Sequence, residues 1–186
     1  MTHVQSLPRW RAWLLGARPK TLPAAMAPVF VGSALAHADG EFVLGPALAA
    51  LMASVLIQID ANLANDYFDC LKGIDVPDRK GPLRVAQSGL IPLRELRLGI
   101  LAVFGLTSLI GAYLILRGGW PVLIIGIFSL LAAWAYSGGP YPLSSHGLGD
   151  LFAFVFFGLI GVAGTYYVQT LQFSPWSLLA AIPIGA

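Results

Sequence analysis

Cysteine, histidine and charge are all scarce in this chain of 186 residues. Cys70 is the single cysteine, which excludes an intramolecular disulfide framework and a cysteine-cluster metal centre. The three histidines are too few for a zinc site. Charged residues make up 11% of the chain, against about 25% in a soluble domain. The net charge of +2 offers no basic surface for nucleic acid. There is no Ser/Gly linker, no low-complexity tract and no polar stretch of domain size. What fills the chain instead is apolar: 57% hydrophobic residues and a mean hydropathy of +0.76. Composition alone assigns a membrane protein.

A spanning helix needs about 20 mostly apolar residues. Thr21–Ala38, Val43–Asn65, Leu98–Leu116, Trp120–Ser137 and Leu148–Thr170 meet that requirement, and Trp176–Ala186 begins a sixth span. The expected fold class is all-α: a polytopic transmembrane helix bundle of five complete spans plus the start of a sixth. Residues 1–186 are expected to be the N-terminal part of one transmembrane domain, because the last window stops in mid-helix with no charged stop. No internal repeat shows among the five spans.

The cations set the orientation. Arg9, Arg11, Arg18 and Lys20 precede the first span, and Lys72, Arg79, Lys80, Arg84, Arg94 and Arg97 lie between the second and third. Only Arg117 falls elsewhere. An even number of crossings puts the first ten on one side, which the positive-inside rule makes cytoplasmic. The short link His37–Phe42 carries Asp39 and Glu41 and no cation, as suits the outer side. Ala36-His37-Ala38 after an apolar run has the look of a signal-peptide cleavage site. Pro23, Pro28 and a long basic region argue for a retained span. The expected location is the cell's inner (plasma) membrane, multi-pass, with the N-terminus cytoplasmic. The polar loop Asp66–Arg97 and the Gly/Pro-rich loop Ser137–Gly147 then face the cytoplasm together.

The chemistry concentrates in NLANDYFDCLKGIDVPDRKGPLR, directly after the second apolar window. If that helix continues to Cys70, Asn62, Asp66 and Asp69 share one face, since steps of four and three residues rotate by about +40° and −60°. Gly73 can then cap the helix, and Asp75 and Asp78 follow, again three apart. Carboxylates next to hydrocarbon are expensive unless compensated. Hard oxygen donors of this kind suit magnesium, which commonly joins carboxylates to substrate phosphates. Asn62, Asp66, Asp69, Asp75 and Asp78 are the candidate metal ligands, and Asp66 and Asp69 the candidate catalytic acids. Lys72, Arg79, Lys80 and Arg84 either neutralise the acids or clamp a diphosphate. The plain alternative is a solvated loop of mixed charge. Its position beside a span favours a functional site. Asp60, deeper and nearly opposite that face, receives no role.

NDYFDCLKGIDVPDR resembles the first aspartate-rich motif, NDxxDxxxGxDxxDR-like, of the intramembrane aromatic prenyltransferases of the UbiA superfamily. ARPKTLPAAMAPVFVG at Ala17–Gly32, GPLRVAQSGLI at Gly81–Ile91 and YSGGPYPLSSHGLGDLFAFVFFG at Tyr136–Gly158 look like its menaquinone branch, the 1,4-dihydroxy-2-naphthoate polyprenyltransferases. The resemblance covers almost the whole chain. It implies nine transmembrane helices around a cavity with a lateral opening to lipid, and a second DxxxD-like motif after the sixth helix. This sequence ends before that point, and Asp150 stands alone, so 186 residues by themselves are expected to be inactive.

The implied reaction is ionisation of a polyprenyl diphosphate with Mg2+, attack on the cation by the ring of 1,4-dihydroxy-2-naphthoate, and loss of the ring carboxylate, giving demethylmenaquinone. Lys72, Arg79 and Arg84 would hold the diphosphate. Arg18 and Lys20 either set topology or recognise the naphthoate carboxylate. Gln87, with Ser88, would hydrogen-bond a ring substituent, and His146 either accepts a proton or is simply solvated. Tyr141, Tyr67 and Phe68 either stabilise the cation by their π-faces or anchor at the interface. Trp10, Trp13, Trp120, Trp134 and Trp176 suit interfacial belts. Other acceptors (4-hydroxybenzoate, homogentisate, haem), a small multipass transporter, or a non-catalytic truncated paralogue are the rival readings. The transporter reading expects ionisable residues in several spans, and only Asp60 lies well inside one.

Overall fold

The computed structural model describes residues 7–73, 83–137 and 149–185, with side chains from 133 to 150 left out. Asp75, Asp78, Arg79, Lys80, Tyr141 and His146 lie outside the described residues, as do the side chains of Trp134 and Asp150. The described elements are α1 (Arg9–Ala17), α2 (Leu22–Ala38), α3 (Leu44–Lys72), α4 (Leu93–Gly118), α5 (Trp120–Ser137), α6 (Gly149–Ala153), a π-helical segment (Phe154–Ile160), α7 (Gly161–Thr170) and α8 (Pro175–Gly185). All are helical, so the chain is the expected polytopic bundle. Four helical stretches are long and apolar enough to cross a membrane: Arg9–Ala38, Leu44–Lys72, Leu93–Gly118 and Leu151–Thr170. At 18 residues, α5 extends about 27 Å, close to the thickness of bilayer hydrocarbon.

The length of α3 is what carries the acidic residues clear of the lipid. Its 29 residues extend about 43 Å, more than a bilayer core requires, so its last turns project past the hydrocarbon. Gly73 ends it in the left-handed region, φ 61°, with its N–H directed at the carbonyls of Asp69 and Cys70, a conformation that side chains disfavour. The acids Asp66 and Asp69 therefore stand on a rigid helix end and not in a loop. Around α3 pack α1, α2, α4, α5 and α7.

Two features differ from the sequence expectation. The basic N-terminal stretch is itself a helix, α1, whose Ala12 is buried with Leu63, Val85, Ile91 and Leu96 in a small core under the end of α3. Trp13 packs on this core and lies against Gly99, where a methyl group would come within 2.5 Å of the indole ring. It is thus a packing residue, while Trp10, Trp120 and Trp176 are largely exposed as an interfacial belt requires. The fifth span is not a uniform α-helix either, since its middle turns π-helical at Phe154–Ile160. There Gly158 approaches the backbone of α8 at Gly185, and Gly161 approaches Pro28 of α2. At Gly158 the small residues let two backbones meet with no side chain between them, and at Gly161 the missing side chain makes room for the Pro28 ring.

The far end of the bundle is tied by polar contacts. Tyr166 donates to Asp39 (2.7 Å), and Gln169 donates to Ser33 (3.0 Å) and accepts from the N–H of Val43 (3.4 Å). Arg117, among the described residues the one cation away from the α3 end, gives its guanidinium to the carbonyl of Gln169 (3.3 Å) at the last turn of α7. A cation there complements the free carbonyls of a helix C-terminus. The links after α2, α4 and α7 thus share one end, and α1, the end of α3 and the start of α4 share the other.

Candidate functional site

Asp66 is the centre of the site. It is fully buried, and a buried carboxylate needs donors on both oxygens. One oxygen accepts from Arg18 and from Arg84 (2.7 Å to Arg84), and the other accepts from the backbone N–H of Val85 (2.9 Å). Arg84 forks, its second nitrogen donating to Asp69 at 2.6 Å. The two carboxylates stand one turn apart on α3 and the two guanidiniums come from separate segments, so the four charges cancel. Their side chains remain 10–21% exposed except for Asp66.

Arg18 reaches Asp66 from a strained position. It closes α1 in the left-handed region, φ 52°, ψ 68°, uncommon for a residue with a side chain. Its carbonyl accepts from the N–H (2.9 Å) and the hydroxyl (3.0 Å) of Thr21, which hold that geometry. Strain maintained in this way is typical of functional positions.

Beside the charged cluster opens a cavity of about 720 Å³ bounded by α2, α3, α4, α5, the π-helical segment and α7. Its polar end is formed by Arg18, Thr21, Gln58, Asn62 and Asn65. Beyond them its walls are mostly apolar, among them Ile57, Leu114, Val122, Phe152, Phe156 and Phe157, with a few hydroxyls such as Ser54 and Thr107 set between them. Asn62 is buried and donates to the carbonyl of Ala17 (2.9 Å) and to Thr21 (3.0 Å). The molecule thus has a carboxylate–guanidinium cluster next to a greasy chamber with a polar mouth. That arrangement suits an amphiphile with a charged head and a long apolar tail.

The expected residues divide accordingly. Asn62, Asp66, Asp69, Arg18 and Arg84 come together at the end of α3. Lys20 and Lys72 are exposed, as is Gln87 on the turn before α4, and none of the three lines the cavity. Tyr67 packs on the small core under α3 and Phe68 meets it edge-on, with ring centres 5.4 Å apart. Neither lines the cavity. The aromatic rings that do are Phe152, Phe156 and Phe157, with Phe152 and Phe156 stacked at 5.7 Å. Sequence reasoning passed over these rings, and also Thr21 and Gln58. A signal for Gln58 existed, since it sits four residues before Asn62 on the same face of α3.

Whether the donors suit a divalent cation depends on their partners. Among the described residues no group of three His, Cys, Asp or Glu side chains stands together. Asp69 is the more open carboxylate, while both oxygens of Asp66 are already occupied. All the donors are hard oxygens, and two of the five candidate ligands fall outside the described residues. Hard oxygens of this kind suit a hard divalent cation, provided that it arrives together with an anion able to take over the arginines.

Residues 25–186 match the UbiA prenyltransferase family. The chain is 42% identical to the 1,4-dihydroxy-2-naphthoate octaprenyltransferase of Escherichia coli (strain K12), over 97% of this chain and 61% of that protein. It is 33% identical to the enzyme of the same name from Bacillus subtilis (strain 168), over 93% and 55%. It is also 33% identical to the 2-carboxy-1,4-naphthoquinone phytyltransferase of Synechocystis sp., over 91% and 54%. The chain thus spans between half and two-thirds of the length of these relatives.

Proposed function

The chain belongs to the UbiA prenyltransferase family, and on that footing we propose that the full-length protein transfers a polyprenyl group from its allylic diphosphate to 1,4-dihydroxy-2-naphthoate. The ring carboxylate leaves as carbon dioxide, and the product is the hydroquinone form of demethylmenaquinone. The observation that carries this reading is the juxtaposition of the Asp66–Asp69–Arg18–Arg84 cluster with an apolar chamber. The names of the relatives support the naphthoate as acceptor.

The prenyl tail would lie among the apolar walls and the diphosphate against the cluster. Arg18 and Arg84 would donate charge-assisted hydrogen bonds to the phosphate oxygens. Arg79 and Lys72 are proposed to assist them, and Tyr141, Lys20 and Gln87 to contact substrate from the same side. Mg2+ held by Asp66 and Asp69, with Asn62, Asp75 and Asp78, would neutralise charge gathering on the departing diphosphate. The C–O bond breaks with its electron pair leaving on the diphosphate. The allylic cation, shielded from water by the apolar walls and faced by the rings of Phe152, Phe156 and Phe157, is attacked by the naphthoate carbon that bears the carboxylate. Aromaticity is restored when the carboxylate's C–C bond breaks. The lysines and arginines around α1 and after α3 support a cytoplasmic position for this end of the bundle, in the inner membrane.

An acceptor panel tests the reading. Membranes holding the full-length protein, given labelled polyprenyl diphosphate, are expected to prenylate 1,4-dihydroxy-2-naphthoate and to leave 4-hydroxybenzoate and homogentisate unchanged. Preferred labelling of either of the latter would assign a different acceptor.

A further inference from the structure

At the polar mouth of the cavity, Gln58 Oε1 is a hydrogen-bonding atom that neither the described residues nor the prenyl donor satisfies. Thr21, Gln58 and Asn62 form a chain whose polarity is fixed from its ends. The carbonyl of Ala17 only accepts, so the amide nitrogen of Asn62 must face it (2.9 Å). The Asn62 oxygen then turns to Gln58 and requires that residue's nitrogen (3.4 Å). Thr21 spends its single hydroxyl proton on the carbonyl of Arg18 (3.0 Å). It can therefore only accept from Asn62 (3.0 Å) and from Gln58 (3.2 Å). Both N–H groups of Gln58 are consumed, and its orientation follows from the network with no free choice. Its carbonyl oxygen, Oε1, is left with no partner among the described residues. Gln58 lies in the cavity wall beside Asn62, about two turns deeper in α3 than Asp66.

An acceptor atom in a largely apolar chamber calls for a donor from the ligand. A polyprenyl diphosphate cannot provide one, because its tail is hydrocarbon and its ionised head only accepts. The aromatic co-substrate class can, through a ring hydroxyl. We infer that Gln58 is the residue that selects a hydroxylated aromatic acceptor, its Oε1 accepting the ring O–H and so fixing the ring beside the reacting end of the prenyl chain. This rests on the function proposed above. Thr21 and Asn62 act through Gln58 as positioning residues, holding its amide with the oxygen toward the chamber.

The test is equilibrium binding to the full-length protein in nanodiscs, with no prenyl donor present. The ligands are 1,4-dihydroxy-2-naphthoate, 1-hydroxy-2-naphthoate and 4-hydroxy-2-naphthoate, so that each hydroxyl is removed without added bulk. Wild type is expected to lose about tenfold or more in affinity when the hydroxyl facing Gln58 is missing, because a site built to bond a hydroxyl is left unpaired. In Gln58→Met the three ligands should bind within about threefold of each other, by the same pairing argument. Gln58→Asn, which withdraws the oxygen by one methylene, should behave like Gln58→Met. Binding of a polyprenyl diphosphate, measured in parallel, shows whether Asn62 and Arg18 beside Gln58 keep their places in each variant. Discrimination that survives in either variant with normal diphosphate binding overturns the inference and leaves the proposed function standing. If Gln58→Met and Gln58→Asn bind no diphosphate, wild type decides: equal affinity for the three naphthoates means the oxygen meets only water, and the inference fails. A wild-type protein that binds the diphosphate but none of the naphthoates removes the proposed acceptor, and the inference with it.

Discussion

Asp66→Ala in the full-length protein is expected to abolish prenyl transfer and to lower stability by about 3–5 kcal/mol, the usual result of removing one partner from a buried ion cluster. The reason lies in what the carboxylate holds. Arg18, Arg84 and the N–H of Val85 all converge on Asp66. Truncation leaves two guanidiniums with little solvent access facing each other across an empty space. It also frees the segment around Val85, which is itself completely buried in the small core beneath α3. Loss of activity in this variant is therefore structural as well as chemical. Denaturant or thermal unfolding in detergent reads the first part, and labelled prenyl transfer the second. A variant of wild-type stability would show that Asp66 does not hold the arginines.

Asp69→Ala separates the two contributions. Asp69 is one-fifth exposed and meets only one nitrogen of Arg84, while Arg84 keeps its bond to Asp66. Partly exposed pairs contribute about 1 kcal/mol or less, so the protein should fold and insert nearly as wild type does. Turnover should nevertheless fall by about a hundredfold or more, the scale seen when one electrostatic group that stabilises transition-state charge is removed. The contrast is the informative part: equal stability losses in the two variants would contradict the burial difference, and wild-type turnover in Asp69→Ala would remove it from the ligand set.

Much of this was visible in the order of residues. The spans follow from apolar length, and the shared face of Asn62, Asp66 and Asp69 follows from helical spacing, with Gly73 positioned to end the helix. What spacing along one helix cannot show is which other segments arrive at that face. Arg18 comes from 48 residues away and Arg84 from 18; a place for Arg84 beside the acids was legible from its nearness in sequence, whereas nothing in the order of residues pointed Arg18 at Asp66. For the same reason α1 read only as the basic flank of the first span, since its helical burial depends on Leu63, Val85 and Leu96, which lie far along the chain. Tyr67 and Phe68 drew attention by lying inside the acidic motif. Helix rotation places Tyr67 on the α4 side of α3 instead, whereas Phe152, Phe156 and Phe157 reach the chamber from a span whose π-helical turn has no simple signature in sequence.

The central claim is that a cluster of carboxylates and guanidiniums receives a metal-bound diphosphate at the mouth of an apolar chamber. Calorimetric titration of the purified full-length protein with a polyprenyl diphosphate, with and without Mg2+, tests it most directly. Saturable binding that requires the ion, and that weakens at least tenfold in Asp69→Ala, is the predicted result. Binding of equal strength with the ion removed by chelation, or no binding at all, would contradict it.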